Sequence, residues 1–559
     1  MVAYAAPFVP SSTTVGSSLV LTALLSLLPL LLFFVLLGVF RLATHWCALI
    51  SLAAALLLAI IAFNMPVSLA LLSATQGAAF GLFPILFIVL MAVWLYNLTE
   101  ASGRSEDVRA VFSAVGKGDR RIQALLIGFS FCGLLEGLAG FGAPVAIACA
   151  MMLAIGLPPL KAAIATMVGN GLNVGFGAMS IPVTTAGQLG GVEPTLVAQT
   201  MGRITPFLIF WIPFILLAII DGKRGVKEVW PAAFAAGAGM ALGHFVGANY
   251  LPYPLTAVFA SLLSLIALVL LLQFWRPTTP TDQHSPATAN GKLTTSRIVL
   301  GLLPYWLVVV ILGLAKLWTF GFDLPGWLAS TDLAIAWPGL HGNLGSMGSD
   351  GEVIVSTATI FNLQWLSSPG TMLLITGLIV SFIYGRISSQ GQFPFSFVRG
   401  LRTLATTVYS LRVTILTICA IMSLAYVMNF SGQTVAIGTW LAATGSFFAL
   451  LAPVLGWIGT AVTGSATSAA ALFANLQAVA AQNAHLSPQL LLAANEIGGG
   501  IGKIISPQNL AIAASSVKSP GSEPVILRKA LPFSLGLVAL LGIIVFLASR
   551  GILGFMIVS

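Results

Sequence analysis

The chain has 559 residues, of which only 39 are charged, 24 Lys or Arg and 15 Asp or Glu. A soluble protein of this length carries roughly 140, which excludes an ordinary cytosolic enzyme. With 58% hydrophobic residues and a mean hydropathy of +1.02, most of the chain needs an apolar environment larger than its own interior, and the bilayer supplies it.

Residues 1–18 contain no Lys or Arg, so the positive n-region of a cleavable signal peptide is missing and the first apolar run reads as a retained span. A helix crosses the hydrocarbon core with about 20 residues, and runs of that kind lie at 19–40, 46–63, 78–96, 162–182, 204–220, 232–248, 251–274, 299–318, 367–384, 404–428, 490–514 and 531–547. Two further apolar regions, 122–156 and 434–481, are interrupted in the middle by glycine-rich stretches. Cys47, Cys132, Cys149 and Cys419 lie without C-x-x-C spacing, so they read as small core residues and no metal site or cofactor is expected. The net charge of +9 is dispersed over short loops rather than gathered on a basic face, so no nucleic-acid partner is expected.

Cytoplasmic loops collect Lys and Arg. Arg41; Arg104 to Arg121; Lys223, Arg224 and Lys227; Arg276, Lys292 and Arg297; Arg386, Arg399 and Arg402; and Lys518, Arg528 and Lys529 fall in alternate connections, while 64–77, 183–202, 249–250, 319–366, 429–433 and 482–489 contain no basic residue. This partition is clean only with the N-terminus outside and with neither interrupted region making a net crossing. Region 122–156 then enters from the cytoplasm and returns there; region 434–481 enters from outside. Irregular backbone at membrane depth is tolerated only inside protein or around a polar cavity, and transporters bind substrate where inverted repeats meet.

The expected fold is therefore an all-α polytopic membrane protein of about 12 transmembrane helices with two oppositely oriented re-entrant hairpins, each followed by a broken helix. The tip Leu135 to Pro144, the turn Leu157-Pro158-Pro159 and a break over Gly169 to Gly175 recur as the tip Gly459 to Ser468, the turn Leu486-Ser487-Pro488 and a break over Gly498 to Gly502. The chain divides as N-terminal spans 1–121, a first repeat core 122–182, connecting spans 183–403 with an outer loop at 319–366, a second repeat core 404–514 and a final span 515–559.

Only two acids remain at membrane depth, Glu136 and Glu496, and both fall in the interrupted segments. An intramembrane ionisable residue is a functional candidate by default, so both are candidate proton-coupling groups; the competing reading makes Glu136 a structural acceptor for the tip backbone. Lys503 follows Gly498, Gly499, Gly500 and Gly502, but G-x-x-x-x-G-K-[ST] is not met, since Ile497 and Ile504 stand in two of its places. The reading is a broken helix whose free N–H groups and dipole, with the Lys503 ammonium, attract an anion; pairing of Lys503 with Glu496 for structure alone is the alternative. Asn170, Asn173, Asn495, Ser506 and Gln508 beside the breaks, Gly140 and Gly142 at the first tip, and Thr463, Ser465 and Thr467 at the second are further candidate substrate contacts, with Arg412 a more distant anion partner. His244 reads as a packing residue, and the loop 323–352 as an outer cap without calcium-loop spacing.

Leu135-Glu136-Gly137 through Ile147, Phe176 to Met179 with Ile181-Pro182, Tyr426 to Gly432, Gly456-Trp457, Thr463-Gly464-Ser465, Ala471 to Gln477, and Gly502-Lys503 with Ile505 to Gln508 resemble the L-lactate permease family, which includes glycolate permeases. The resemblance covers nearly the whole chain. It implies proton-coupled symport of small 2-hydroxymonocarboxylates, L-lactate, D-lactate or glycolate, across the inner (plasma) membrane, with lipid as surroundings and room for a homodimer. The family pattern carries an acid just after Gly464-Ser465, where this chain has Ala466, and small hydroxyl residues where this chain has Glu496-Ile497. Glu496 is expected to take over that carboxylate's role. Sodium-coupled carriage of a dicarboxylate is the second reading and an anion channel, which needs no mirrored hairpins, the third. A membrane enzyme lacks any H-E-x-x-H or G-x-S-x-G constellation.

Overall fold

A computed structural model describes residues 7–40, 42–107, 119–138, 140, 142–277, 294–317, 321–347, 353–387, 393–519 and 521–558. Of the residues used above to sort the loops, Arg41, Arg109, Lys117 and Lys292 lie outside this set, as do 348–352 of the outer loop.

The described chain is overwhelmingly helical, as its composition demands, because a helix satisfies every backbone donor within itself. Ten stretches among the described residues are long and apolar enough to cross a bilayer, from Leu19–Leu37 to Glu523–Ser549, and a bent pair, Thr295–Gly301 with Leu303–Ala315, makes an eleventh. One stretch, Pro194–Tyr250, is two antiparallel helices: a Cβ on Gly202 would overlap Ala248, one on Gly237 would overlap the Phe210 carbonyl, and the chain reverses at Gly222 with φ +64°. Only glycine takes that conformation without strain. Residues 162–182 and 490–514 are each broken into shorter helices, as expected, and the tally departs from the expected set in that Arg120–Leu138 and Gly445–Thr463, largely within the interrupted regions, are long apolar helices.

Both interrupted regions contain helical hairpins. In the first, Arg120–Leu138 is wholly buried and returns as Ala143–Ala154: Met152 packs on Gly128 near one level, and Gly156 meets the Arg120 guanidinium at the base. In the second, Phe448–Thr463 turns at Gly464 into Ala466–Asn483, with Phe473 against Gly459 and Gln477 donating to the Ala452 carbonyl at 3.0 Å. Region 434–481 also contains a separate short helix, Gln433–Ala442.

The breaks follow the hairpins. Pro159–Gly171 gives way to a short turn and then to Gly177–Gly190, whose start holds Ala178, Met179 and Ser180 at φ of 43°, 58° and 59°. In the second half the glycine cluster is not the break: Pro488–Lys503 is a regular helix containing all four glycines, and the chain breaks at Ile504 to Ser506 before Pro507–Ser516. These glycines permit close packing. A Cβ on Gly498 would overlap the Pro453 carbonyl oxygen and one on Gly502 that of Trp457.

The connections sort onto two opposite ends. Phe8 bridges Leu344, Gly432 abuts Pro10, Gln489 donates to the Val558 carbonyl and Arg203 reaches Asn249 and the Phe555 carbonyl. Apart from Arg203, one residue beyond 183–202, these belong to the connections without Lys or Arg or to the chain termini. At the other end Arg121 holds Asp119, Asp221 and Glu228, Arg297 holds Asp107, and Arg104 donates to the Ile387 carbonyl. The outer loop adds two small antiparallel ribbons to the helical chain, Leu333–Ala336 with Ile360–Leu363 and Gly345–Met347 with Val353–Val355.

Candidate functional site

Both hairpin tips and both helix breaks converge on one cavity of about 460 Å³. Glu136 and Gly140 come from the first tip, Thr463 to Ser468 from the second, Gly177 and Ala178 from the first break, and Lys503 and Gln508 from the second. Ala43 to His45, at the start of one helix, and Leu411, at the start of another, also line it. Those residues adjoin connections that the charge partition counts as basic.

The centre of the site is an ion pair. The Lys503 ammonium donates to Glu136 Oε1 at 3.0 Å, and Asn170 Nδ2 donates to Oε2 at 2.7 Å. The Cys132 thiol donates to Asn170 Oδ1 at 3.5 Å, which fixes the amide with its NH₂ toward the carboxylate. Glu136 is 1% exposed and Lys503 5%, so each charge is removed from bulk water and depends on the other. Lys503 is also the last residue of its helix, where the dipole favours a cation. Its carbonyl accepts from Ser506 Oγ at 3.2 Å and Asn509 Nδ2 at 3.1 Å, which pins the break.

The cavity favours anions for a second reason. Ser465 caps Ala466–Asn483 by accepting from Ser468 N at 3.2 Å, and Ser506 caps Pro507–Ser516 by accepting from Asn509 N at 3.3 Å. Two helix N-termini thus begin in the cavity wall, bringing first-turn N–H groups without intrahelical partners and the positive ends of two dipoles.

The candidate residues divide into three groups. Glu136, Lys503, Gly140, Thr463, Ser465, Thr467 and Gln508 line the cavity, and Asn170 touches it through Glu136. The Thr463 hydroxyl is committed to the turn, donating to the Gly459 carbonyl at 2.7 Å. A second group lies behind the wall. Glu496 is fully buried and accepts from Asn495 Nδ2 at 2.9 Å; Asn495 Oδ1 in turn accepts from Gln477 at 2.8 Å, and Glu496 Oε2 has no partner among the described residues. Asn173 is buried with neither amide atom partnered among the described residues. Ser506 acts as a helix cap, and Gly142 with φ +89° packs on Ile512.

Arg412 forms the third group alone. It is exposed, stacks on its own neighbour Tyr409 at 4.2 Å and does not line the cavity, so it is no anion partner there. The alternative pairing of Lys503 with Glu496 does not form, and Lys503 pairs with Glu136: seven residues along a regular helix separate the first two by about 10 Å. His244 packs as expected, its Nδ1 3.0 Å from the Met240 carbonyl and its ring 5.5 Å from Phe176.

Sequence reasoning passed over five contributors: Thr44, His45, Cys132, Thr414 and Thr417. The spacing of Thr414 and Thr417 places both hydroxyls on one face of the helix Arg412–Ser431, a signal that was available. His45 and Cys132 carried none.

A multi-pass membrane protein with two helical hairpins meeting at a buried acid–base pair has the build of a solute carrier. The profile of the L-lactate permease family matches residues 22–551. The glycolate permease GlcA of Escherichia coli is 37% identical, covering 94% of this chain and 95% of that one; the L-lactate permease of Bacillus subtilis is 35% identical over 96% and 97%, and that of Escherichia coli 34% over 94% and 95%. The chain belongs to the L-lactate permease family. Among solved structures, the Alcanivorax borkumensis YdaH transporter is similar at 16% identity and a TM-score of 0.43, covering 86% of this chain and 87% of that one.

Proposed function

We propose that this protein is a secondary active transporter that carries a small 2-hydroxymonocarboxylate, lactate or glycolate, together with a proton across the plasma membrane. The observation that carries the reading is the 3.0 Å contact between Lys503 and Glu136 in the cavity wall. While Glu136 is ionised it occupies the ammonium group. A proton on Glu136 cancels that attraction and leaves Lys503 to take the substrate carboxylate, with the free N–H groups at the second tip and the Gln508 side chain beside it.

Coupling follows from charge balance. The empty site holds one negative and one positive group; the loaded site holds a neutral acid, Lys503 and one monoanion. Both states carry the same net charge, so neither works against the membrane potential, which is worth about 2.3 kcal/mol per charge per 100 mV. Glu136 is the coupling acid in this scheme, and Glu496, one layer behind the cavity, is a structural carboxyl. With the N-terminus outside, the side of the cavity lined by His45 and Leu411 is the cytoplasmic one.

The test is uptake of radiolabelled lactate, glycolate and related short hydroxy acids into proteoliposomes under an imposed pH gradient, with and without sodium. Glu136→Gln is expected to abolish proton-driven accumulation while retaining lactate–lactate exchange, and Glu496→Gln to keep accumulation. Full accumulation in Glu136→Gln would overturn the assignment. Accumulation that needs sodium at fixed pH would replace the proton by a cation.

A further inference from the structure

A second concavity lies at the basic end of the molecule, between Pro159–Gly171, the last helix Glu523–Ser549 and the end of the helix that precedes Gly222. It has a volume of about 830 Å³, within the range of sites that hold a molecule of several hundred daltons. One wall is Pro524, Val525, Arg528, Lys529, Pro532 and Phe533, and the facing wall is Leu160, Lys161 and Ile164, with Ile219 between them. The spacings i, i+4 and i+8 on one helix and i, i+4 on the other make each wall a single helical stripe.

The chemistry of the groove is two-part. Its lining contains three cations, Lys161, Arg528 and Lys529, and no carboxylate. Lys161 is fixed at the rim because its ammonium donates to the Ile220 carbonyl at 2.7 Å, which leaves two further N–H donors for a ligand. Everything else in the lining is apolar, and the last helix carries exposed apolar side chains both in the groove, where Val525 is 48% exposed, and beyond it, where Leu535 is 46% exposed. A small inorganic anion has no use for the apolar walls, and a neutral lipid has none for three cations that no acid pairs among the described residues. An amphiphile with an anionic head matches both.

We propose that this groove binds one anionic phospholipid, its phosphodiester held by Lys161, Arg528 and Lys529 and an acyl chain lying along Ile164, Ile219 and Phe533. Basic pockets between membrane helices on the side of an anionic leaflet recognise lipid headgroups in this way. The position gives the lipid something to act on. Pro159–Gly171 has Lys161 near its start and Asn170, the partner of Glu136, near its end. On the other wall, Ser534 donates to the Ile501 carbonyl at 3.0 Å and accepts from Trp457 Nε1 at 2.9 Å, two residues before Lys503. The lipid therefore braces, from outside, the two helices that locate the ion pair.

The experiment is native mass spectrometry of the full chain released from micelles doped with equal phosphatidylglycerol and phosphatidylethanolamine. The wild type is expected to retain at least about tenfold more phosphatidylglycerol, and Arg528→Gln/Lys529→Gln to lose that preference. Val525→Trp, which keeps every charge and fills the groove, is expected to lose it as well and carries the test if the double variant fails to fold. Arg399→Gln/Arg402→Gln, the same charge change on another helix, is expected to keep it. Undiminished preference in both groove variants overturns the proposal, as does equal loss in the control pair, which would mean a diffuse surface charge. Full displacement by millimolar glycerol phosphate, or a lipid-free dimer that shields the groove, overturns it too.

Discussion

The first hairpin brings a carboxylate to the cavity, and its break is built from Ala178, Met179 and Ser180 in the left-handed region. The second brings hydroxyls, two capped helix N-termini and, across its break, the ammonium of Lys503; that break is a serine cap followed by a proline. The backbone plan is repeated while the chemistry is complementary. One unit thus supplies the acid and the other the ammonium, and the ion pair exists only where the two meet. The costs diverge too. Each left-handed non-glycine residue costs about 1–2 kcal/mol, held in place by packing and by the Ser180 hydroxyl donating to the Tyr253 carbonyl at 2.8 Å, whereas the second break uses residues suited to their conformations.

Four single substitutions and one double variant press on that contrast. The largest effect is expected from Lys503→Met, which strands Glu136 in the protein interior and should cost roughly 3–5 kcal/mol, read as a lower unfolding midpoint in detergent. Adding Glu136→Gln should restore much of it, and an unchanged midpoint in the single variant would show that the pair does not fasten the halves. Gly502→Ala should follow at about 1–3 kcal/mol, because its methyl group overlaps the Trp457 carbonyl oxygen and one helix must shift. Gly536→Ala, with nothing within 4 Å of the added carbon, should instead be neutral or stabilising. Ala178→Gly is the smallest: relief of left-handed strain exceeds the added chain entropy by less than about 1 kcal/mol, so the midpoint should rise slightly, and a clear fall would deny strain at the first break.

Charge placement made much of this legible from sequence. Lys and Arg sort by side because crossing the bilayer is costly, and the described connections do group at two ends, with Phe8 beside Leu344 and Arg121 beside Asp221. The same scarcity singled out Glu136 and Lys503. Their meeting was not legible, because nothing local links residues 367 positions apart. The glycine cluster at Gly498 to Gly502 was misplaced as the break for a physical reason: unwinding a helix and packing it closely both favour the residue without a side chain, and only the neighbouring carbonyls of Pro453 and Trp457 tell them apart. Arg412 was drawn toward the site by its charge, and its neighbour Tyr409 holds it outside.

The distance in sequence between the two partners of the ion pair sets a condition on biosynthesis. At about 5–20 residues per second of translation, Lys503 emerges roughly 20 to 70 s after Glu136. For that interval the first hairpin exists without its counter-ion, and a nascent chain that stalls anywhere in between is a membrane protein with an unmatched acid at its centre. The 3.0 Å contact between Lys503 and Glu136 therefore forms only once nearly the whole chain has been made.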